Sequence, residues 1–172
     1  MEGKPSNKSE SMFEGNEWTF ETTKNTVERA SNAFEKKLIK NGWSPEEAED
    51  LSLGFIEAVT NAVVHGNLGI VKPKDNSKTT GGLMIEELKK HPEKKNKKVQ
   101  VIFLEINKDK VSVKIIDEGA GFNQEEVPDP TLPENLLKPK GRGLFMMRAY
   151  FGSVTYNEKG NEVTLVKERK TE

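Results

Sequence analysis

Three polar residues recur at four-residue steps in the first half of the chain. Glu57, Asn61 and His65 are each four positions apart, so on a helix they share one face. A carboxylate and a carboxamide one turn apart suit a hydrated Mg²⁺ ion with a base beside it, because Mg²⁺ takes oxygen ligands and keeps much of its water. An ordinary solvated helix face has the same spacing, and the row alone leaves both interpretations open.

A second candidate site follows an apolar segment. Ile115 and Ile116 lead into Asp117, and Gly119 and Gly121 stand one residue apart. A buried strand that ends on a carboxylate presents an acceptor at the sheet edge, and the glycines let the backbone turn sharply and approach a flat ligand. An ordinary turn that begins with Asp contains the same residue types.

A third candidate combines basic residues and glycines directly before a helix, in the run Lys138-Pro-Lys140-Gly141-Arg142-Gly143-Leu144. Free N–H groups and the positive end of a helix favour phosphate, and glycines let phosphate oxygens approach the backbone. The run lacks the GxxxxGK[ST] spacing of a P-loop and does not follow a strand as a dinucleotide fingerprint does. A plain loop-to-helix junction is the alternative.

Helices and strands in the first half of the chain must position the first candidate. Trp18 to Thr22 alternates as a short half-buried strand, and helical spacing continues from there until Asn41-Gly42. Ser44-Pro-Glu-Glu47 is a capping box with Pro at the first helical position, so it predicts a helix start. That helix is predicted to run to about Asn67.

The second half is richer in strands. Residues 99–107 and 110–117 predict one hairpin, 144–151 a short helix, and 154–156 with 161–167 a second hairpin. Antiparallel strands in runs with helices gathered on one face predict an α+β two-layer sandwich, with a mixed but mostly antiparallel sheet.

The remaining segments define the predicted boundaries. Residues 1–16 are polar and predict a disordered tail, and 17–170 predict a single domain. A segment at about 70–98 interrupts the regular pattern: 69–82 resembles a loop, and 83–90 is compatible with a short helix.

Composition excludes several classes of function. The net charge is −1, which argues against a protein that mainly coats nucleic acid or an anionic membrane. The absence of cysteine excludes disulfides, thiolate catalysis and Cys-ligated metals, and two histidines leave little room for a His-based metal site. No apolar run is long enough for a secretion signal or a membrane span, so a cytoplasmic protein is expected.

Taken together and in this order, the three candidates resemble the N, G1 and G2 boxes of the GHKL ATPase superfamily. The resemblance covers roughly residues 17–168, including the terminal strand, and is greatest to the anti-sigma factor serine/threonine kinases of bacterial partner switches. It implies the histidine-kinase-like ATPase fold. The matching segments are Glu57-Ala-Val-Thr-Asn61-Ala-Val-Val-His65-Gly66, Asp117-Glu-Gly119-Ala-Gly121-Phe122 and Gly141-Arg-Gly143-Leu144.

The resemblance implies ATP and Mg²⁺ as cofactors and a role for each matched residue. Asn61 is implied as the Mg²⁺ ligand, Glu57 as the base that activates the attacking hydroxyl or water, and Asp117 as the acceptor for the adenine amino group. Residues 123–140 are implied as a lid over ATP. The other implied nucleotide-binding residues shape the base pocket or meet the phosphates: Gly119, Gly121, Phe122, Lys140, Gly141, Arg142, Gly143 and Leu144.

The implied activity is ATP-dependent phosphorylation of an anti-sigma factor antagonist, together with sequestration of a sigma factor by a homodimer. The alternative is a binding module that responds to ATP, or does without it, and regulates a partner by association. Glu57 favours the enzyme. Direct binding to nucleic acid or a membrane is not expected.

Two features depart from the family pattern. The 70–98 segment is longer than the connection expected there, and Gly152 stands where an acidic residue is common. Six lysines fall within positions 89–98, but no aromatic residue lies between Phe55 and Phe103, so the segment lacks the stacking platforms of single-strand binders. A solvated loop is therefore predicted for the lysines, and a local contact for His65.

Overall fold

One antiparallel sheet organises the part of the chain that the computed structural model describes, residues 11–71, 77–121 and 142–170. The strands are β1 (Glu17–Glu21), β2 (Lys98–Ile106), β3 (Lys110–Ile116), β4 (Ser153–Tyr156) and β5 (Glu162–Glu168). Their order in the sheet is β1-β2-β3-β5-β4, and every pairing among these strands is antiparallel. Both predicted hairpins are present, β2–β3 and β4–β5.

Four α-helices accompany the sheet within the described residues: α1 (Lys24–Lys40), α2 (Pro45–Thr60), α3 (Thr80–Lys90) and α4 (Arg142–Tyr150). A π-helix, Asn61–Asn67, continues α2 without a break, and 3₁₀ turns cover Ser11–Phe13 and Pro92–Asn96. The predicted α+β histidine-kinase-like architecture is confirmed. None of the described helices is long and apolar enough to cross a membrane.

Sequence signals account for the junction between α1 and α2. Gly42 follows α1 with φ of 97°, a left-handed conformation that glycine adopts without strain. The predicted capping box then opens α2: the Ser44 hydroxyl accepts from the Glu47 N–H at 3.1 Å, and the Glu47 carboxylate accepts from the Ser44 N–H at 2.9 Å.

Phe34 of α1 lies at the centre of the core between the helices and the sheet. Its ring stacks on Phe55 of α2 at 4.2 Å and lies 6.1 Å from Phe103 of β2 and 6.4 Å from Phe151. Phe151 directly follows α4, and α4 also packs against α2. One aromatic cluster therefore holds α1, α2 and α4 on the same side of the sheet, where the site forms.

Part of the polar row formed by Glu57, Asn61 and His65 lies in a π-helix and not in the regular α-helix that its spacing predicted. The Leu68 N–H donates to the Val63 carbonyl at 3.0 Å, a five-residue step that widens the turn. His65 stands in this segment, and its Nδ1 lies 2.7 Å from the carbonyl oxygen of Ile70. The expected local contact of His65 is thus present.

The 70–98 segment contains the short helix expected at 83–90, but this helix begins earlier, at Thr80, within the stretch that was expected to be a loop. The Thr79 hydroxyl accepts from the Gly82 N–H at 3.0 Å, and this cap starts α3 at Thr80 despite two glycines. Met84 is buried in the core. Lys94 donates to the Leu68 carbonyl at 2.9 Å and pairs with Glu87. Packing and this anchor override the loop-like composition.

The last residues of the predicted disordered tail, 11–16, are ordered in the structure. Residues 1–10 lie outside the described residues. Phe13 packs edge-on against Trp18 with ring centroids 5.3 Å apart, and the Asn16 carbonyl accepts from the Phe103 N–H at 2.8 Å. The segment from 11 to 16 is therefore part of the packed structure, because one aromatic residue reaches the core beside β1.

Candidate functional site

The N-box residues Glu57 and Asn61 face the start of α4. Glu57 stands in the last turn of α2, and Asn61 begins the π-helix directly after it. A Cβ atom placed on Gly143 would lie 3.0 Å from Glu57 Oε2 and 3.3 Å from Asn61 Nδ2. A carboxylate, a carboxamide and a helix start without a side chain thus converge in one place.

Asp117 occupies a second cluster, at the end of β3. Its side chain is buried, with 9% of the residue exposed. A Cβ atom placed on Gly66 would lie 2.5 Å from Asp117 Oδ1, so only a glycine fits there. Oδ1 accepts from the Gly119 N–H at 2.8 Å, whereas Oδ2 takes no hydrogen bond from any described residue. The carboxylate therefore presents one acceptor to a ligand.

Burial raises the pKa of the Asp117 carboxyl above its ordinary value. The hydrogen bond from the Gly119 N–H and the charges of Lys159 and Lys97 act in the opposite direction and favour the carboxylate. A buried acceptor that is only partly compensated gains from a ligand that donates a hydrogen bond to it.

The two G1-box glycines permit close backbone packing. The backbone of Gly119 lies against Gly66, and a Cβ on Gly119 would collide with the Gly66 carbonyl oxygen. Gly121 has φ of 80° and lies against the Lys159 carbonyl. The loop after β3 therefore packs against the π-helix at Gly119 and against the turn between β4 and β5 at Gly121.

Tyr156 is a neighbour of the site that the sequence reasoning missed. It pairs with Val163 across β4 and β5, and Val163 pairs with Ile115, so all three side chains share the sheet face on which Asp117 lies. Burial raises the pKa of Tyr156 to about 12, with a smaller contribution from the Asp117 charge. A neutral phenol therefore stands near the carboxylate at physiological pH.

Gly66 ends the segment that matches the N box, but it is not among the site residues that the resemblance implies. Its role depends on contact with Asp117, which no local pattern reveals. A glycine directly after the helical row was the one available signal. For Tyr156, the signal was a large polar aromatic residue at an inward position of a predicted hairpin.

Several predicted site residues lie outside what the structure describes. Phe122, Lys140, Gly141 and the proposed lid at 123–140 belong to the undescribed segment, and the Arg142 side chain is likewise not described. Leu144 is half-buried, and its side chain packs against the core. Of the G2 box, the structure thus brings Gly143 to the N-box residues and uses Leu144 as a packing residue.

The arrangement fits a nucleotide with Mg²⁺. Asn61 offers an amide oxygen of the kind Mg²⁺ accepts, with Glu57 one turn away. Both side chains lie beside the first turn of α4, and the N-terminus of a helix favours an anion. Asp117 Oδ2, which takes no hydrogen bond from a described residue, matches a donor on a planar base. The donor set is therefore suited to a metal-bound phosphate at one end and a base at the other.

Comparisons with known proteins agree with this geometry. Residues 20–167 match the family described as the histidine kinase-like ATPase domain. The chain is 29% identical over 138 residues to the serine-protein kinase RsbW of Staphylococcus aureus strain MRSA252, covering 76% of this chain and 72% of the relative. It is 29% identical over 140 residues to the serine-protein kinase RsbW of Staphylococcus epidermidis, with the same coverage.

These matches confirm the resemblance drawn from the three motifs. The family match spans the N box, the G1 box and the described part of the G2 box, and it extends through β5. The chain therefore belongs to the histidine kinase-like ATPase domain family.

Proposed function

We propose that the protein is an ATP-dependent serine/threonine kinase that phosphorylates an anti-sigma factor antagonist and also sequesters a sigma factor. The observation that carries the proposal is the convergence of Glu57, Asn61 and Gly143, which sets a carboxylate beside a metal ligand at a helix start. The relatives in both Staphylococcus species are serine-protein kinases named RsbW, which supports the same activity.

Asp117 selects the base in this proposal. Its free oxygen accepts from the adenine amino group, whereas guanine presents a carbonyl oxygen at the same position. Acceptor would then face acceptor, and a buried carboxylate would lose its partner. An unsatisfied buried group costs about 1 to 3 kcal/mol, and more when it is charged. Discrimination of about tenfold or more follows.

Asn61 and the start of α4 bind the phosphate end. Asn61 would hold Mg²⁺ through its amide oxygen, and the backbone N–H groups at Gly141 and Gly143 would meet the phosphates. When bound, Mg-ATP supplies the phosphoryl group that is transferred. The family resemblance further suggests Lys140 and Arg142 as positive charges for the phosphates and 123–140 as the lid; this segment and the Arg142 side chain lie outside the described residues.

Glu57 acts as the base. It would orient the serine or threonine hydroxyl of the antagonist and accept its proton while the hydroxyl oxygen bonds to the γ-phosphorus and the bond from that phosphorus to the ADP leaving group breaks. Such general-base assistance contributes roughly a hundredfold to ten-thousandfold in rate. Glu57 is half-buried between α2 and α4, so its carboxylate stays close to Asn61.

The partners complete the proposal. An antagonist protein is the substrate, a sigma factor is held when the antagonist is phosphorylated, and the kinase works as a cytoplasmic homodimer. Light scattering on the purified protein tests the dimer.

Phosphoryl transfer is the deciding measurement. The purified protein is incubated with Mg²⁺, γ-labelled ATP and each antagonist-like protein encoded beside its gene. We expect label on a serine or threonine of one of them, and loss of that label in the Glu57→Gln variant. ATP binding without transfer to any of them would leave the association-only binding module as the function.

A further inference from the structure

Asn67, at the end of the π-helix, joins three separate segments of the chain beside the candidate base pocket. The residue is 1% exposed. Its Oδ1 accepts from the Glu118 N–H at 2.7 Å, and its Nδ2 donates to Thr22 Oγ1 at 2.9 Å and to the Lys98 carbonyl at 3.0 Å. Both amide protons and the oxygen are therefore used.

The hydrogen-bond network sets the orientation of this amide. The Thr22 hydroxyl donates to the Lys97 carbonyl at 2.7 Å, so its oxygen is left to accept from Asn67. Turning the amide over would place its NH₂ group against the Glu118 N–H and its oxygen against two acceptors. Asn67 therefore presents an acceptor to the G1 loop in a single orientation.

The same loop carries Asp117, and the backbone N–H groups of residues 117, 118 and 119 each donate to a different acceptor. The Asp117 N–H donates to the Asn161 carbonyl at 2.9 Å, the Glu118 N–H to Asn67, and the Gly119 N–H to Asp117 Oδ1 at 2.8 Å. Among these three bonds, only the one to Asn67 reaches the helical layer. Because the Asp117 carboxylate also contacts Gly66, the residue before Asn67, a small shift of the loop moves the carboxylate against the π-helix.

We propose that Asn67 is the positioning residue for Asp117, and that its acceptor bond to Glu118 sets the selectivity for adenine over guanine. The proposal rests on the proposed function of Asp117 as the base-reading residue. Asn67 itself does not touch the nucleotide. It acts by holding the loop at the distance at which the Asp117 carboxylate meets the base edge.

If Asn67 had only a structural role, every loss of its hydrogen bonds would lower stability and base selectivity together. Two substitutions that keep the bond to Glu118 separate this role from a positioning role. Asn67→Asp keeps an oxygen for the Glu118 N–H but loses both donated bonds. Thr22→Val also spares the Glu118 bond. At this fully buried position it removes the bond donated by Asn67 and the bond that Thr22 donates to the Lys97 carbonyl. Thr22→Val should lower the thermal midpoint by roughly 2–6 °C for its two lost buried hydrogen bonds, and Asn67→Asp should lower it further, because it also places a carboxylate oxygen against two buried acceptors. Neither should alter base selectivity.

Asn67→Ala removes the acceptor as well. The experiment measures ATP and GTP dissociation constants by calorimetry, and hydrogen exchange at the Glu118 amide, for the wild type and the three variants. We expect the wild-type ATP preference of about tenfold or more to fall to within about threefold in Asn67→Ala only. The Glu118 amide should exchange at least about tenfold faster in that variant and stay protected in Asn67→Asp.

The possible outcomes are distinct. A folded Asn67→Ala variant with wild-type selectivity overturns the proposal, as does equal loss of selectivity in Thr22→Val. If Asn67→Ala does not fold, Asn67→Ser takes its place. The serine side chain is too short to reach the Glu118 N–H, but it leaves a smaller cavity than alanine does. Unchanged base selectivity in Asn67→Ser would likewise overturn the proposal. A wild-type protein that does not prefer ATP contradicts the role of Asp117 itself, whereas normal wild-type preference with unchanged variants contradicts only the role of Asn67.

Discussion

Gly143 of α4 lies so close to Glu57 of α2 that a Cβ atom on the glycine would be 3.0 Å from Glu57 Oε2. Real Cβ atoms rarely come this close to a neighbour, so the absence of a side chain at Gly143 leaves the carboxylate in place. The same position is 3.3 Å from Asn61 Nδ2. The first turn of α4 therefore limits the space around the Glu57 and Asn61 side chains.

Gly143→Ala should impair catalysis more than folding. The new methyl group would displace the flexible end of Glu57 by a few tenths of an ångström. We expect phosphoryl transfer to fall about tenfold, because a small misplacement of a reacting group lowers the reaction rate strongly. The thermal midpoint of unfolding should change by less than about 3 °C, because a methyl group at this partly exposed position adds little strain. Gly152→Ala is the matched control: its Cβ would meet only the Val166 carbonyl, at 3.9 Å. Equal transfer rates in the two variants would contradict the assigned contact.

Glu57→Gln and Asn61→Ala should separate base catalysis from metal binding. Glu57→Gln keeps the shape of the side chain, so ATP affinity should stay within a few-fold while transfer falls roughly a hundredfold or more. Asn61→Ala removes a metal ligand, so Mg²⁺-dependent ATP affinity and transfer should fall together. Calorimetry and labelled-ATP assays on both variants provide the test. Normal transfer by Glu57→Gln would show that this carboxylate is not the base.

Asp117→Asn should weaken ATP binding and remove the preference over GTP. The amide retains an oxygen for the Gly119 N–H, which lies 2.8 Å from Oδ1, so the loop should keep its conformation. The second oxygen, however, becomes an NH₂ group that faces the adenine amino group, donor against donor. We expect ATP affinity to fall about tenfold or more in calorimetric titration. An unchanged ATP to GTP ratio would exclude Asp117 as the base-reading residue.

The stability of the nucleotide-free protein should depend on pH through the same carboxyl. Because burial raises the pKa of Asp117 above 3.8, the folded state retains this proton at pH values where the unfolded chain has lost it. The resulting stabilisation is present at low pH and is lost as pH rises through the raised pKa.

Asp117→Asn does not titrate, so its free energy of unfolding relative to the wild type should increase between about pH 4 and neutrality. Urea unfolding of both proteins across this range measures the difference. A difference that stays flat or decreases with pH would mean that burial does not disfavour the carboxylate.

The local elements of this fold were predictable from the sequence because their signals are local. The capping box at Ser44 and Glu47 satisfies the first N–H groups of α2 from within four residues. The hairpin between β2 and β3 follows from alternating apolar residues around an Asn-Lys-Asp turn, where Asn107 Oδ1 accepts from the N–H groups of Asp109 and Lys110. Neither feature needs knowledge of the rest of the chain.

The α3 segment shows where local composition misled. Gly81 and Gly82 have low helix propensity and suggest a loop, but the Thr79 cap and the burial of Met84 stabilise a helix there. The Lys94 anchor to Leu68 and Glu87 adds to this. Burial of an apolar side chain against a distant part of the core outweighs a propensity difference of about 1 kcal/mol per glycine.

By itself, the sequence determined the chemical groups of the site and their order along the chain: a carboxylate and an amide one helical turn apart, a carboxylate after a strand, and glycines before a helix. Only the tertiary structure decided which of these groups meet. The contacts of Gly143 with Glu57, of Gly66 with Asp117, and of Asn67 with Glu118 each join segments far apart in the chain. They depend on how α2 and α4 pack on one sheet face and on the π-helix that redirects residues 61–67, and neither the packing nor the redirection follows from local spacing.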